Sequence, residues 1–524
     1  MKSTPAPSHT ATIPPLPEVA RLLEKNAHLE SKVEQLQQQL DWFKRHLFGE
    51  KSEKRLDVDP AVQPSLLEGL MPAAEPIDIP KQTVAAHERK KKCRDGSVTD
   101  SGLRFDDSVP VHVVEILPDE LKGDLADNYD VISHKVTYRL AQQRASYVII
   151  EERRPVIKEK TTTKLISTPA PARVLDNSIA DVSFLAGMLI DKFLYHLPLH
   201  RQHQRLSEAG ITLSRSVLTR LVAKAIALLK PIAEAQYRHV LMSQVLAIDE
   251  TPIKAGRKAP GKLKQGCFWP MYGDHDEIVF HYCAGKSGNQ LALLLEGFQG
   301  TLLTDGNTTY ERYAAKTAGI THAQCWAHTR RQFEKALKME PEAAGEALDI
   351  IGAMYSHETV IRERKLTSKV KLDYRVKHIE PVMQVFWQWC DRQCQRNDLT
   401  PTNPLTQALS YAVKRHKSLK VCLSDPDVAL DTNHLERGLR PIPMGKKSWL
   451  FCWTESGAED VATIQSLIAT CRLLKVNAYE YLVDVLQRVA IHPAKQVEEL
   501  TPRVWKKKFA NNPMRSVIDK RNEN

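Results

Sequence analysis

Apolar positions near the N-terminus recur in alternating steps of three and four residues. Val19, Asn26, Val33, Leu40 and Leu47 fall on one seam, and Leu22, Leu29, Leu36 and Phe43 on the other. This is the 3.5-residue period of a coiled coil. Val on one seam with Leu on the other favours two parallel strands, and the lone Asn26 fixes their register. The pattern predicts a coiled-coil dimerisation helix over residues 17–48. A helix packed on its own domain is the other reading. Residues 49–100 hold several prolines and few periodic apolar positions, and contain the basic run from His87 to Arg94. A flexible basic linker is expected there, its charge either solvated or set against a polyanion.

Beyond it the period changes to two. Residues 111–117 and 131–140 alternate, and Tyr147-Val-Ile-Ile150 is a short apolar run, so a small β-rich module is expected over 101–165. Residues 175–235 turn helical. Residues 199–208, then Ala209-Gly210-Ile211, then 214–229 read as helix, glycine turn, helix. Ser214 is placed to cap the second helix, which carries Arg215, Arg220 and Lys224. Two readings are open: a helix-turn-helix that reads DNA with these cations, and an ordinary pair of antiparallel helices.

Val245-Leu-Ala-Ile248 is apolar throughout, as a buried central strand requires, and it runs into Asp249. Two strand-like segments follow at 267–273 and 277–283, joined by the turn Gly273-Asp-His-Asp276. A helix is expected at 291–298, and then Thr301-Leu-Leu-Thr304, a strand ending at Asp305-Gly306. This order is that of an RNase H-like α/β core, here over 240–475, with the first and fourth strands side by side and their terminal carboxylates together. Paired carboxylates suit Mg²⁺, which prefers hard oxygen ligands at ~2.0–2.1 Å. Two such ions roughly 3.5–4 Å apart can activate an attacking oxygen and stabilise a leaving one. Two aspartates are too few for two ions. The third candidate is Glu436, within Asp431-Thr-Asn-His-Leu-Glu-Arg-Gly-Leu-Arg-Pro441. Glu436 has two structural alternatives: a capping box with Asn433, and an i,i+4 pair with Arg440.

Composition narrows the class. The chain has 524 residues, enough for two to four domains, and a formal net charge of +11, which favours a polyanionic partner. No apolar run approaches the roughly 18–20 residues of a membrane span, and the first residues lack a secretory h-region. The nine cysteines, an odd number in a large chain, point to reduced thiols and a cytoplasmic setting. His322, Cys325 and His328 have a soft-metal spacing but no fourth partner, so Cys325 and His328 are expected as core or active-site scaffolding. Cys390 and Cys394, one helical turn apart, are expected to be buried.

Asp249-Glu-Thr-Pro252, Leu303-Thr-Asp-Gly306, Cys325-Trp-Ala-His-Thr-Arg-Arg331, the segment from Asn433 to Pro441 and Gly445-Lys-Lys-Ser-Trp-Leu-Phe451 together resemble the transposases of insertion sequence 66. The resemblance extends from the heptads and Leu47-Phe-Gly-Glu-Lys-Ser-Glu-Lys54 to about Pro493. It implies a DDE transposase that cleaves insertion-sequence ends and transfers the 3′-hydroxyl into target DNA. Asp249, Asp305 and Glu436 would be the triad holding two Mg²⁺ or Mn²⁺ ions. A helical insertion would occupy about 340–405, and a helical segment with a basic tail 476–524. Arg437, Arg440, Lys446 and Lys447 lie close to the third acid, and two readings are open for them: neutralising phosphates near the cut, or simple exposure to solvent. The implied partners are double-stranded DNA, both element terminal inverted repeats and target, a homodimer or higher multimer, and accessory proteins of the same element. The implied place is the bacterial cytoplasm, at the nucleoid. Family members usually carry a zinc module with two cysteine pairs where this chain has residues 109–161, and here no cysteine occurs; no structural zinc is expected. Two other functions stay open: a nuclease that does not join strands, and a catalytically inactive, transposase-derived DNA-binding regulator.

Overall fold

The computed structural model describes residues 103–521, apart from 108, 123–125, 144–145 and 162–163. They belong to one of the chain's two compact units, Cys93–Asn524. The expected coiled coil and linker lie outside the described residues.

After β1 (Arg104–Phe105), strands β2 (Val111–Glu115), β3 (Tyr129–Gln143), β4 (Ser146–Glu159) and β5 (Leu165–Ser167) form a sheet in the order β2-β4-β3, with β5 on β4. Next to its turn the β3–β4 hairpin is buried on both faces, which accounts for the continuous apolar run at Tyr147-Val-Ile-Ile150, while the far half of β3 is mostly exposed. Leu140 and Ile149 join the main core, while Ala141, Val148 and Ile150 meet Ile518. A buried ion network ties this sheet to the next element. Arg139 contacts Glu152 at 2.5 Å and Asp181 at 3.1 Å, and Arg173 contacts Glu152 at 2.7 Å. Asp181 also caps α1 (Val182–Phe193), accepting from the Ser183 N–H at 3.0 Å.

Next come α2 (Leu199–Glu208), β6 (Ile211–Thr212), which pairs with β1, and α3 (Arg215–Val240). Gly210 turns the chain at φ +78°, and the Ser214 hydroxyl caps α3 by accepting from the Val217 N–H.

The central sheet is built from β7 (Val245–Ile248), β8 (Thr251–Ala259), β9 (Lys262–Tyr272), β10 (Ile278–Cys283), β11 (Gly300–Thr304) and β12 (Ile320–Gln324), in the order β10-β9-β7-β11-β12, with β8 also paired to β9. β7, β11 and β12 are parallel, and β9 runs antiparallel to β7, β8 and β10. Strand β8 is absent from the sequence-based expectation. It nevertheless alternates inward Thr251, Ile253 and Ala255 with outward Pro252 and Lys254, and Pro252 sits at its first positions, where a missing N–H is tolerated. Helices α4 (Gly288–Leu294) and α5 (Thr308–Lys316) connect the strands, and α6 (Trp326–Ala336) follows β12.

The segment expected as a helical insertion contains two long helices, α7 (Pro341–Glu363) and α8 (Ser368–Cys394), followed by α9 (Pro404–Lys414) and the single turn α10 (His416–Leu419). Trp326 and Phe333 of α6 pack against Phe386 of α8. Cys390 is buried, but Cys394, on the same face, is exposed, because it is the last residue of α8. The chain closes with α11 (Asn433–Leu439), α12 (Pro441–Trp449), α13 (Glu455–Leu473), α14 (Ala478–Arg488), α15 (Pro502–Lys508) and α16 (Val517–Arg521). Helix α13 covers the edge strand β10: Ser466 and Thr470 hydroxyls accept from the backbone N–H groups of Phe280 at 2.9 Å and Ile278 at 3.1 Å. An otherwise open row of donors is thereby satisfied.

Candidate active site

Ala247 pairs with Leu303 across the parallel β7–β11 ladder, so Asp249 and Asp305, each two residues further on, stand level at the C-terminal ends of neighbouring strands. Ligands of open α/β sheets gather at such ends. Asp249 occupies the break between β7 and β8, where its N–H donates to Pro270 O at 3.3 Å. Its Oδ1 accepts from the Glu250 N–H at 2.7 Å. Asp305 Oδ1 accepts from the Asn307 N–H at 2.9 Å. The turn after β11 is tightly packed: a Cβ at Gly306 would collide with the Tyr411 hydroxyl, and Arg415 donates to Gly306 O at 2.7 Å.

Glu436 arrives from far along the chain because the loop before α11 is pinned to the start of α6. Trp326 N–H donates to Leu430 O at 2.8 Å, and Thr432 donates to Cys325 Sγ from its N–H at 3.3 Å and its hydroxyl at 3.4 Å. Cys325 thus serves as a buried acceptor at the start of α6. Gly438 lets α11 approach β10, since a Cβ there would lie 2.6 Å from the Ile278 side chain. Neither structural alternative for Glu436 occurs. Thr432 occupies the cap position without a side-chain bond, and Asn433 donates instead to Asp431 at 2.6 Å. The carboxylate faces His328 at 3.8 Å and Arg331 at 3.9 Å, one turn apart on α6.

Asp249, Glu436, His328, Arg331, Arg437 and Arg440 line one cavity of about 440 Å³. Burial, and then the charges of Asp305, Glu250 and Glu436, push the Asp249 carboxyl up to about 7, against the lowering effect of the Glu250 N–H. Burial and the Glu250 charge also raise Asp305, opposed by the Asn307 N–H. Burial lowers His328, with the Arg331 charge acting the same way, and brings His322 down to about 4. Both rings are therefore neutral at physiological pH.

Among the described residues no three His, Cys, Asp or Glu side chains gather into a ready metal cage. The donor set nevertheless fits a hard divalent ion. It consists of carboxylate oxygens, and Asp249, raised chiefly by burial and further by its neighbouring carboxylates, stands beside two other acids that such an ion could bridge.

Of the cations singled out in sequence, Arg437 and Arg440 reach this cavity, and Lys446 and Lys447 do not line it. Lys446 is turned to β8, donating to Pro252 O at 2.7 Å, while Lys447 is exposed. Arg215, Arg220 and Lys224 are all exposed on α3, outside the cavity; Arg220 and Lys224, four residues apart, share one face, and Arg215 lies on another. Sequence reasoning missed Arg331, Glu250 and Asn307. Arg331 was detectable, because its i,i+3 spacing from His328 puts both on one face of α6. The other two depend on a loop-to-loop contact that no local pattern encodes.

The site is thus a carboxylate cluster rimmed by arginines at the carboxyl ends of parallel strands, a class of site suited to handling phosphate esters. Residues 177–460 match the family described as "Transposase IS66 family", and the chain belongs to that family. Residues 466–503 match its "IS66 C-terminal element". Residues 35–110 match "Transposase C of IS166 homeodomain", a stretch that includes the segment expected to be a linker. Among curated proteins the chain is 28% identical over 407 residues to the uncharacterized protein y4hP of Sinorhizobium fredii (strain NBRC 101917 / NGR234), covering 72% of each chain. It is 26% identical over 407 residues to the uncharacterized protein y4qI of the same strain, covering 74% of this chain and 75% of the relative. Among the described residues no helix is long and apolar enough to cross a membrane.

Proposed function

We propose that the chain is a DDE-type transposase that cleaves DNA at insertion-sequence ends and transfers the freed 3′-hydroxyl into target DNA. The observation carrying this reading is the meeting of Asp249, level with Asp305, and Glu436 at one arginine-rimmed cavity. The placement of β7 beside β11, with an antiparallel hairpin on the far side of β7, supports an RNase H-like core.

Asp249, Asp305 and Glu436 are the groups that would hold two divalent cations, Mg²⁺ or Mn²⁺. When bound, these ions supply activation of an attacking oxygen and charge stabilisation of a leaving one. The chain's own contribution is positioning. Arg331, Arg437 and Arg440 line the cavity and bring positive charge to the phosphodiester as charge develops. Neutral His328 adds no competing cation beside Asp305. The exposed α3 cations Arg220 and Lys224 on one face, with Arg215 at the helix start, bind the backbone of the terminal repeats, and Lys447 extends the basic surface beside the cavity. The N-terminal heptads pair two copies so that both element ends are held together, with accessory proteins of the same element as further partners. The protein acts at the nucleoid in the bacterial cytoplasm.

The formal net charge of +11 would equally suit one second reading, a catalytically inactive DNA-binding regulator. A joining assay separates the possibilities. A pre-cleaved element end with a free 3′-hydroxyl is mixed with supercoiled target plasmid and Mn²⁺. Joined product supports the transposase. Cleavage of an intact end without joining points to a simple nuclease, and DNA binding without either reaction points to the regulator.

A further inference from the structure

A second cavity, of about 720 Å³, adjoins the carboxylate cavity, and Arg437 and Arg440 line both. Its walls are different in character. Tyr272 and His434 line it with rings edge to face at a centroid distance of 4.7 Å. Tyr195 and Met444 line it as well, although 69% and 53% of their surfaces are exposed. Large apolar groups scattered singly on a surface need no explanation, but a group of them around one concavity does.

Tyr195 and His196 come from the short connection between α1 and α2. His196 adopts a left-handed φ of +58°, a conformation that a residue with a Cβ holds only where its surroundings impose it. Its Nδ1 is buried and has no hydrogen-bond partner among the described residues. The charged side chains lining the cavity are Arg437, Arg440 and Arg472, and no carboxylate lines it.

We propose that this cavity receives an unstacked nucleobase of the DNA strand whose phosphate lies in the carboxylate cavity. The proposal rests on the DNA-handling reading of that first cavity. Shared arginines grip a phosphodiester at the boundary, so the adjoining base is carried to the aromatic side. Every base offers a π-face that stacks on tyrosine or histidine regardless of sequence, and a polar edge that can satisfy His196 Nδ1. A base that leaves the stack beside the reacting phosphate needs a pocket of this kind to hold it. A peptide or lipid of negative charge would find the arginines but would leave the paired aromatic walls without a planar partner.

The test measures binding in EDTA, where no strand is cut. Two fluorescently labelled duplexes carry the element's own end, one fully paired and one with mismatches at the nucleotides flanking the cleavage point. Wild type is expected to bind the mismatched duplex roughly fivefold or more tightly, the scale of one base–aromatic stack. Tyr195→Ala should bring the two affinities together, and Tyr195→Phe should keep the preference because the ring remains. Tyr195 is largely exposed, so these variants should melt like wild type. Equal affinities in wild type, or an undiminished preference in Tyr195→Ala, would overturn the proposal. A surviving preference alongside failed strand cleavage would instead retain the base cavity and remove the catalytic reading of its neighbour.

Discussion

Asn307 joins the ends of the two central parallel strands: its side-chain amide donates to Glu250 Oε1 at 2.9 Å while its backbone N–H holds Asp305 at 2.9 Å. Glu250 in turn follows Asp249 directly and accepts from the Tyr310 hydroxyl at 2.5 Å. One half-buried bridge thus sets the separation of the two aspartates. Glu250→Ala leaves Asn307 and Tyr310 without their acceptor, a loss on the order of 1–3 kcal/mol. The variant should melt several degrees below wild type and lose strand cleavage out of proportion to its DNA binding. Unchanged melting would show that the bridge is dispensable.

The Asp249 carboxyl gives a pH signature. Its ordinary value of 3.8 rises to about 7 in the folded protein, so between those values the folded state holds more protons than the unfolded one. By linkage, stability contributed at this site falls as pH rises through that window and levels off above it. In EDTA, Asp249→Asn should therefore melt higher than wild type at pH 8, and the difference should shrink towards pH 4. A difference that stays constant with pH would mean that Asp249 is not a buried, uncompensated acid.

The small β-sheet is secured by charge as well as by apolar packing. Glu152 is the shared partner of Arg139 and Arg173 in a region with almost no solvent access. Removing one partner of such a buried set typically costs about 3–5 kcal/mol, because the remaining charges are left uncompensated. Glu152→Ala should destabilise the protein by that order, with the largest gain in hydrogen exchange in β3 and β4. Exchange gains confined to other elements would contradict this placement.

Arg220 and Lys224, one turn apart on α3, set the response to salt. Each phosphate neutralised by a cation contributes about −0.9 to the slope of log affinity against log salt concentration. Replacing both Arg220 and Lys224 with alanine should therefore flatten that slope by roughly 1.8 on the element's end. An unaltered slope would reduce α2 and α3 to an ordinary helix pair.

Legibility in the sequence follows the range of the interactions. Strand β7 can be read because every residue is apolar, and β11 from its Leu302-Leu303 pair, and each runs into an aspartate. The α2–α3 pair can be read from Gly210 and Ser214. Strand β8 is hidden because Pro252 and Gly256 look like punctuation, although its inward positions alternate correctly. Glu436 is ambiguous in sequence, since Asn433 and Arg440 sit at spacings that would equally serve a capping box or a helical ion pair. Its actual neighbours, His328 and Arg331, are supplied by the contact of Thr432 with Cys325, which only the folded chain creates. Lys446 shows the same limit: a cation beside a phosphate-handling motif in sequence, it is turned in space to the backbone of β8.

The most direct test of the central claim is a strand-cleavage assay on the element's end in Mg²⁺ or Mn²⁺. It compares wild type with Asp249→Asn, Asp305→Asn and Glu436→Gln, with DNA affinity measured in parallel in EDTA. The account predicts cleavage by wild type alone, while all three variants bind DNA as tightly as wild type. Cleavage by Glu436→Gln at the wild-type rate would contradict it, because the third carboxylate would then lie elsewhere.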